Sequence, residues 1–241
     1  MSSPACDNFK CTRFERYAFS FQLIINIADS MRIHSTFHRN NFKTLCNTVT
    51  AKDNDFKKVV ALYGYPPLWK RERDFASLIL FILEQQVSLA SAKAAFVKLE
   101  EKIKIISPEN ILSLNDDELK SCYFSRQKTK YARHLAETIL SGDLNIEKLY
   151  KLTDDEVRIQ LKQVKGIGDW TADVYLMFAL NRCDCFPHGD IALIKAVKEL
   201  KQLDAGTSVE DIILMADKWK PYRTIASYLL WHYYLSKRGR S

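Results

Sequence analysis

The stretch Leu161 to Leu180, LKQVKGIGDWTADVYLMFAL, leaves this chain few options, because it reads as two helices joined by a very tight turn. The turn is Lys165-Gly166-Ile167-Gly168. Its glycines permit a backbone at φ > 0 and the close approach of another chain, while Ile167 plugs the angle between the helices. A second helix starting at about Asp169 aims its first free N–H groups outward, which suits a phosphate, and Lys162 and Lys165 flank that point. An ordinary αα-hairpin satisfies the same residues. The turn alone therefore does not decide between scaffold and binding site.

The rest of the chain also reads as helical. Seven glycines and six prolines in 241 residues are too few for the many turns of a sandwich or barrel. An apolar content of 47% with 27% charged residues is that of a globular protein with a real core. The net charge of +7 suits a polyanionic partner without requiring one. The six cysteines are scattered, which points to reduced thiols in an intracellular protein, cytoplasmic or nuclear according to the organism. Cys183-Asp-Cys185 is too closely spaced for a metal knuckle, so no metal site is expected. No apolar run approaches the ~20 residues of a membrane span, and no cleavable secretory signal opens the chain.

Residues 1–50 form an N-terminal extension of unassigned role, periodic only over Tyr17 to Met31. They are read either as an extra helix packed on the main domain or as a mobile or processed segment whose arginines are presequence-like. Residues 51–241 form the main domain. Phe56, Val59, Val60, Leu62 and Tyr63 predict a short helix that ends before Gly64-Tyr-Pro-Pro67. Asp74 opens FASLILFILEQQVSLASAKAAFVKL, one helix that is apolar nearly all round to Leu83 and amphipathic afterwards. Gln85, Gln86 and Ser88 interrupt it and face either solvent or a cleft. Capping signals recur at Ser107-Pro108, Asn115 with Glu118, and Thr153 with Glu156, so that two helix-turn-helix stretches echo one another. A last amphipathic helix, Pro221 to Leu235, carries Trp231.

Asp190 follows the loop Asn181 to Gly189 and heads the helix IALIKAVKEL. Read alone it is an N-cap, worth ~1 kcal/mol. With its neighbours it is more. The hairpin LKQVKGIGDWTA, followed by FPHGDIALIKAV, closely resembles the helix-hairpin-helix DNA glycosylases whose motif ends in a catalytic aspartate, and within them the alkylated-base type, 3-methyladenine DNA glycosylase II. ILEQQVSLASAKA, FSRQKTKYARHLA and WKPYRTIASYLLWHY resemble that subfamily's helices in the right order, so the resemblance covers about residues 52 to 236.

The resemblance implies an all-α fold of two helical lobes, with the hairpin at the cleft between them. It implies double-stranded damaged DNA as the partner of a monomer, with no membrane partner and a phosphate held at Gly166 and Gly168 beside Lys162 and Lys165. The damaged base is expected to flip into the cleft, where Trp170 and Trp231 fall on the stacking positions, and Gln86 on the position that fills the gap left in the duplex. Asp190 falls on the catalytic carboxylate. A fixed carboxylate suits the positive charge that develops on the sugar as an N-glycosidic bond breaks, and a cationic alkylated purine leaves without a strong general acid. His188 is a further candidate for contact with DNA.

Three departures refine the implication. Members that also cut the strand carry lysine where this chain has Trp170, so no Schiff base is expected and the activity reduces to base removal. No cysteine follows Cys185, so no iron–sulfur cluster and no other cofactor is expected. Val174 replaces an aromatic of the pocket, which leaves the breadth of substrate choice open. The competing expectations are a non-catalytic helix-hairpin-helix DNA-binding protein and a glycosylase for oxidised or deaminated bases.

Overall fold

Side-chain caps set most of the helix boundaries in this protein, whose computed structural model describes residues 36–239. Asp53 caps α2 (Asn54–Tyr63), Asp74 caps α3 (Phe75–Glu84) and Ser88 caps α4 (Leu89–Ile103). Ser107 with Pro108 opens α5 (Pro108–Ser113), and the Asn115/Glu118 capping box opens α6 (Asp116–Ser121). Ser125 starts α7 (Arg126–Leu140), and Thr153 with Glu156 forms the box that starts α9 (Asp154–Lys162), after the one-turn α8 (Ile146–Leu149). Each cap satisfies N–H groups that a helix start leaves unbonded. The hairpin helix α10 (Asp169–Phe178), α11 (Ile191–Lys201), α12 (Val209–Ala216) and α13 (Arg223–Ser236) complete the chain.

The helix expected to run on from Asp74 is broken. Gln85 is extended in ψ, at 123°, and Gln86 has φ 58°, so α3 stops and Ser88 nucleates α4 with a cap to Ser91 N–H. Apolar periodicity runs through the break because both helices bury one face in the same core. The competing signal was the serine cap.

Among the described residues the chain forms no strand, only an isolated bridge between Thr36 and Arg182. The helices build two lobes. In one, α3 to α7 pack around Leu78, Ile82, Leu99, Ile111, Ala132 and Leu135. In the other, α13 is covered by α1 (Arg39–Lys52), α2 and α11. The hairpin α9–α10 joins them, with α10 resting on α3.

The compact unit begins at Thr36, inside the segment assigned to an extension. Phe42, Cys46 and Val49 of α1 are buried, and Phe37 and Phe42 meet the Tyr228 ring at 5.6 and 5.2 Å. The expectations for Tyr17 to Met31 and for the presequence-like arginines lie outside the described residues. The buried Asp53 fastens this lobe: its carboxylate takes Lys201 Nζ, Lys218 Nζ and the Trp219 indole N–H. Burial pushes Asp53 up, but these three donors together outweigh it and hold the carboxyl below its usual range. Burial also pushes the Cys46 thiol up to about 12 and Cys185 well above its ordinary value, so neither is a ready thiolate; Cys185 Sγ accepts from Arg158 Nη2 at 3.7 Å.

Candidate active site

The hairpin turn is shaped from outside as well as by its own glycines. Gly166 stands at φ 90°, and a Cβ there would lie 2.1 Å from Cγ of Tyr131, whose ring is pressed against it from α7. From the same helix His134 Nδ1 accepts the Lys165 backbone N–H at 3.2 Å. From the end of α3, Gln85 Nε2 donates to Gly166 O at 2.9 Å and to Thr171 Oγ1 at 3.0 Å. Gly168 is different. It has φ −106°, nothing within 4 Å of a Cβ, and no side chain capping α10. The first N–H groups of α10 thus have no side-chain cap, and the exposed Lys165 lies in the turn just before them. Lys162 is not free beside them. Its ammonium pairs with Asp169 at 2.6 Å and holds that carboxyl below its usual range.

The loop from α10 to α11 is pinned to the start of α13. Arg223 donates to Asp184 through Nε and Nη2, both at 2.9 Å, and Cys185 N–H donates to Thr224 Oγ1 at 2.9 Å. The loop therefore delivers Asp190 to a fixed point. There its Oδ1 caps α11 by accepting Leu193 N–H at 2.8 Å. Two tryptophans from different elements reach the same carboxylate: Trp170 Nε1 donates to Oδ2 and Trp231 Nε1 to Oδ1, each at 3.2 Å. Capping and tryptophan contact are one arrangement, in which three N–H groups fix both oxygens.

The aromatic surroundings continue beyond the two tryptophans. Phe178, two turns along α10 from Trp170, stacks on Trp231 with centroids 5.5 Å apart. Trp69 stands edge-on to Trp231 at 6.5 Å, and Tyr228 donates its hydroxyl to Trp69 O. Val174, between Trp170 and Phe178 on α10, is buried. Gln86 is exposed, held in the left-handed region at the break after α3, where a non-glycine residue is uncommon. A groove is lined by Leu83, Val87, Ser91, Ala92, Tyr123 and Lys128, and neither Gln86 nor Asp190 is part of its lining. His188 is exposed on the Asp190 loop.

Sequence reasoning missed Gln85 as the tie between α3 and the turn, Tyr131 and His134 as its braces, and Trp69 and Phe178 as aromatics packed on Trp231. Phe178 was within reach of the spacing, eight residues from Trp170 on one helix face. Trp69 was not, since the Pro-rich segment that carries it has no period. Among the described residues no group of His, Cys, Asp and Glu is arranged to hold a metal ion, and no helix is long and apolar enough to cross a membrane.

A tight glycine hairpin leading through a pinned loop to an aspartate at a helix start, between two lobes of helices, defines a class. Residues 79–221 match the family model of the HhH-GPD superfamily base excision DNA repair proteins, and the chain belongs to that superfamily. Among individual relatives it is similar to DNA-3-methyladenine glycosylase 1 of Schizosaccharomyces pombe, 28% identical over 186 residues that cover 74% of this chain and 82% of that protein. It is 35% identical over 124 residues to the putative DNA-3-methyladenine glycosylase YfjP of Bacillus subtilis, covering 52% of this chain but only 43% of that longer protein. The solved structure of the Schizosaccharomyces pombe 3-methyladenine DNA glycosylase Mag1 in complex with abasic DNA superposes with a TM-score of 0.73 at 27% identity, covering 78% of this chain and 95% of that one.

Proposed function

We propose that this protein is a base-removing DNA glycosylase of the 3-methyladenine type, which flips an alkylated purine out of duplex DNA and hydrolyses its N-glycosidic bond in base excision repair. The observation that carries the reading is the Asp190 carboxylate, gripped by the indole N–H groups of Trp170 and Trp231 and by Leu193 N–H. A carboxylate so fixed cannot turn away from the sugar. As the bond breaks, the bonding pair leaves with the base and positive charge grows at C1′ of the deoxyribose. A preorganised anion stabilises that charge without reorganising, and orients the water that attacks there. The superfamily membership and the relatives named as 3-methyladenine glycosylases support the substrate class.

The remaining residues divide the work of holding DNA. The open start of α10 at Gly166 and Gly168 takes a phosphate, with Lys165 beside it, while Lys162 acts through Asp169 by orienting the helix start. Gln86, projecting from the break after α3, enters the space that the flipped nucleotide vacates. With Trp170 in place of a lysine, no amine stands beside C1′ to form a Schiff base, so the strand stays intact. The protein works as a monomer on double-stranded DNA.

The substrate class is tested by incubating the purified protein with duplexes carrying a methylated purine, an oxidised purine or a deaminated base, and measuring free base released. Release confined to the methylated duplex is expected. Release only from the oxidised or deaminated duplexes would reassign the substrate, and salt-sensitive binding without release from any of the three would reduce the protein to a DNA-binding module.

A further inference from the structure

The loop that carries Asp190 is held on a second side, by an arginine of the hairpin. Arg158 lies on α9, and its guanidinium reaches α10 and the loop together. Nε and Nη2 both meet Asp173 Oδ1 at 2.9 Å, Nη1 meets Asp155 at 3.1 Å, and Nη2 donates to Cys185 Sγ at 3.7 Å. Asp173 stands one turn after Trp170 on α10, and Cys185 comes five residues before Asp190. These contacts close a ring. It runs from Arg158 to Asp173, along one turn of α10 to Trp170, through the indole N–H to Asp190, back along the loop to Cys185, and so to Arg158 again. Gly189 braces the ring from inside, since a Cβ on that glycine would lie 3.5 Å from Trp170 Cβ.

Stability does not call for this ion pair. The Asp173 side chain is only 7% exposed and that of Arg158 27%. Burial pushes the Asp173 carboxyl above its usual range even with Arg158 alongside. A buried pair of this kind is commonly no more stabilising than apolar residues of similar volume. What it supplies is direction, because a planar guanidinium holds its partners at set angles in a way that apolar contact does not.

We infer that Arg158 is a positioning residue for base removal, which sets the distance between Trp170 and the Asp190 carboxylate by holding Asp173 and Cys185 at once. The inference rests on the glycosylase reading for the role of Asp190, and it adds the contact that keeps this carboxylate in register with the hairpin. The tie to α13 through Asp184 and Thr224 fixes the loop against one lobe. Arg158 fixes the same loop against the hairpin, on which Trp170 is mounted. Without it, the spacing of Trp170 and Asp190 rests on apolar contact, and a misplacement of about 1 Å can cost on the order of a hundredfold in rate. Such a contact acts on the maximal rate and leaves affinity for DNA to the hairpin turn.

The experiment compares wild type, Arg158→Lys and the double variant Arg158→Met/Asp173→Leu, which replaces the pair by apolar side chains without leaving a buried charge unpaired. Single-turnover release of 7-methylguanine, binding to an abasic-site duplex and thermal unfolding are measured for each. The indole N–H resonance of Trp170, assigned through Trp170→Phe, reports directly on the hydrogen bond to Asp190. The double variant is expected to release base about tenfold to a hundredfold more slowly, with the Trp170 resonance moved upfield. Its abasic-site affinity and unfolding midpoint should be those of wild type. Arg158→Lys keeps the charge but not the fork and should fall between the two in rate. A double variant with the wild-type rate and indole resonance would overturn the inference. So would a slowed variant that loses abasic-site affinity and thermal stability in parallel, because that assigns the pair to the framework. If the double variant does not fold, Arg158→Lys decides, and the wild-type rate and resonance in that variant would overturn the inference. A wild type that releases no base from any duplex would remove the glycosylase reading, while the Trp170 resonance of the variants would still decide this one.

Discussion

At the scale of single residues, the site turns on how three N–H groups share one carboxylate. Asp190 caps α11 as its position predicts, but the cap uses only one direction of Oδ1, leaving both oxygens open to the tryptophans. The indoles thus supply orientation as well as ring surface. Replacing Trp231 by Phe keeps most of the ring and deletes the donor to Oδ1. The expected result is a fall in single-turnover base release of roughly tenfold to a hundredfold, matching the loss of one hydrogen bond to an ion. Affinity for abasic-site DNA should be unchanged, since the phosphate contact proposed above lies at the hairpin turn and not at Trp231. A variant that loses affinity and leaves the rate intact would assign Trp231 to stacking alone.

At the scale of elements, the hairpin is a turn held by its neighbours. The two glycines, equivalent to the eye in the sequence, have separate duties: Gly166 at φ 90° makes room for the Tyr131 ring, and Gly168 leaves the start of α10 uncovered. Gly166→Ala is expected to lower stability by about 1–3 kcal/mol through strain and displacement of Tyr131, and to weaken DNA binding with it. Gly168→Ala meets open space and an ordinary φ, so thermal unfolding should move little. The comparison of the two unfolding midpoints checks the assignment. Helix starts were legible because caps are local chemistry: Ser107, Asn115, Thr153 and Asp190 all cap as their spacing predicts. The break at Gln85 and Gln86 was hidden by apolar periodicity continuing across it. Tertiary contacts fix that break, in particular the hydrogen bonds from Gln85 to the hairpin.

At the scale of the whole molecule, the site is assembled from the hairpin, the loop behind it and the lobe built on α13. Trp170 comes from the hairpin, Trp231 from α13, and Asp190 from the loop pinned to α13 by Arg223 and Asp184. That convergence explains which parts of the site could be read in sequence. Residues within one local motif, Gly166, Gly168, Trp170 and Asp190, carry a recognisable spacing. Trp69 reaches Trp231 only through tertiary packing, which no local pattern encodes. α1 belongs to this convergence as well, because it covers α13 and its Phe42 packs on Tyr228 beneath the aromatic wall. The central claim is that this assembly exists to place the Asp190 carboxylate against the sugar of a flipped nucleotide. Single-turnover release of 7-methylguanine from duplex DNA by Asp190→Asn tests it most directly, with abasic-site binding measured alongside. The amide keeps the size of the side chain and removes its charge. The account predicts a loss of at least about a hundredfold in rate, on the scale of removing one electrostatic stabiliser of a transition state, with binding retained. Release at the wild-type rate would contradict it.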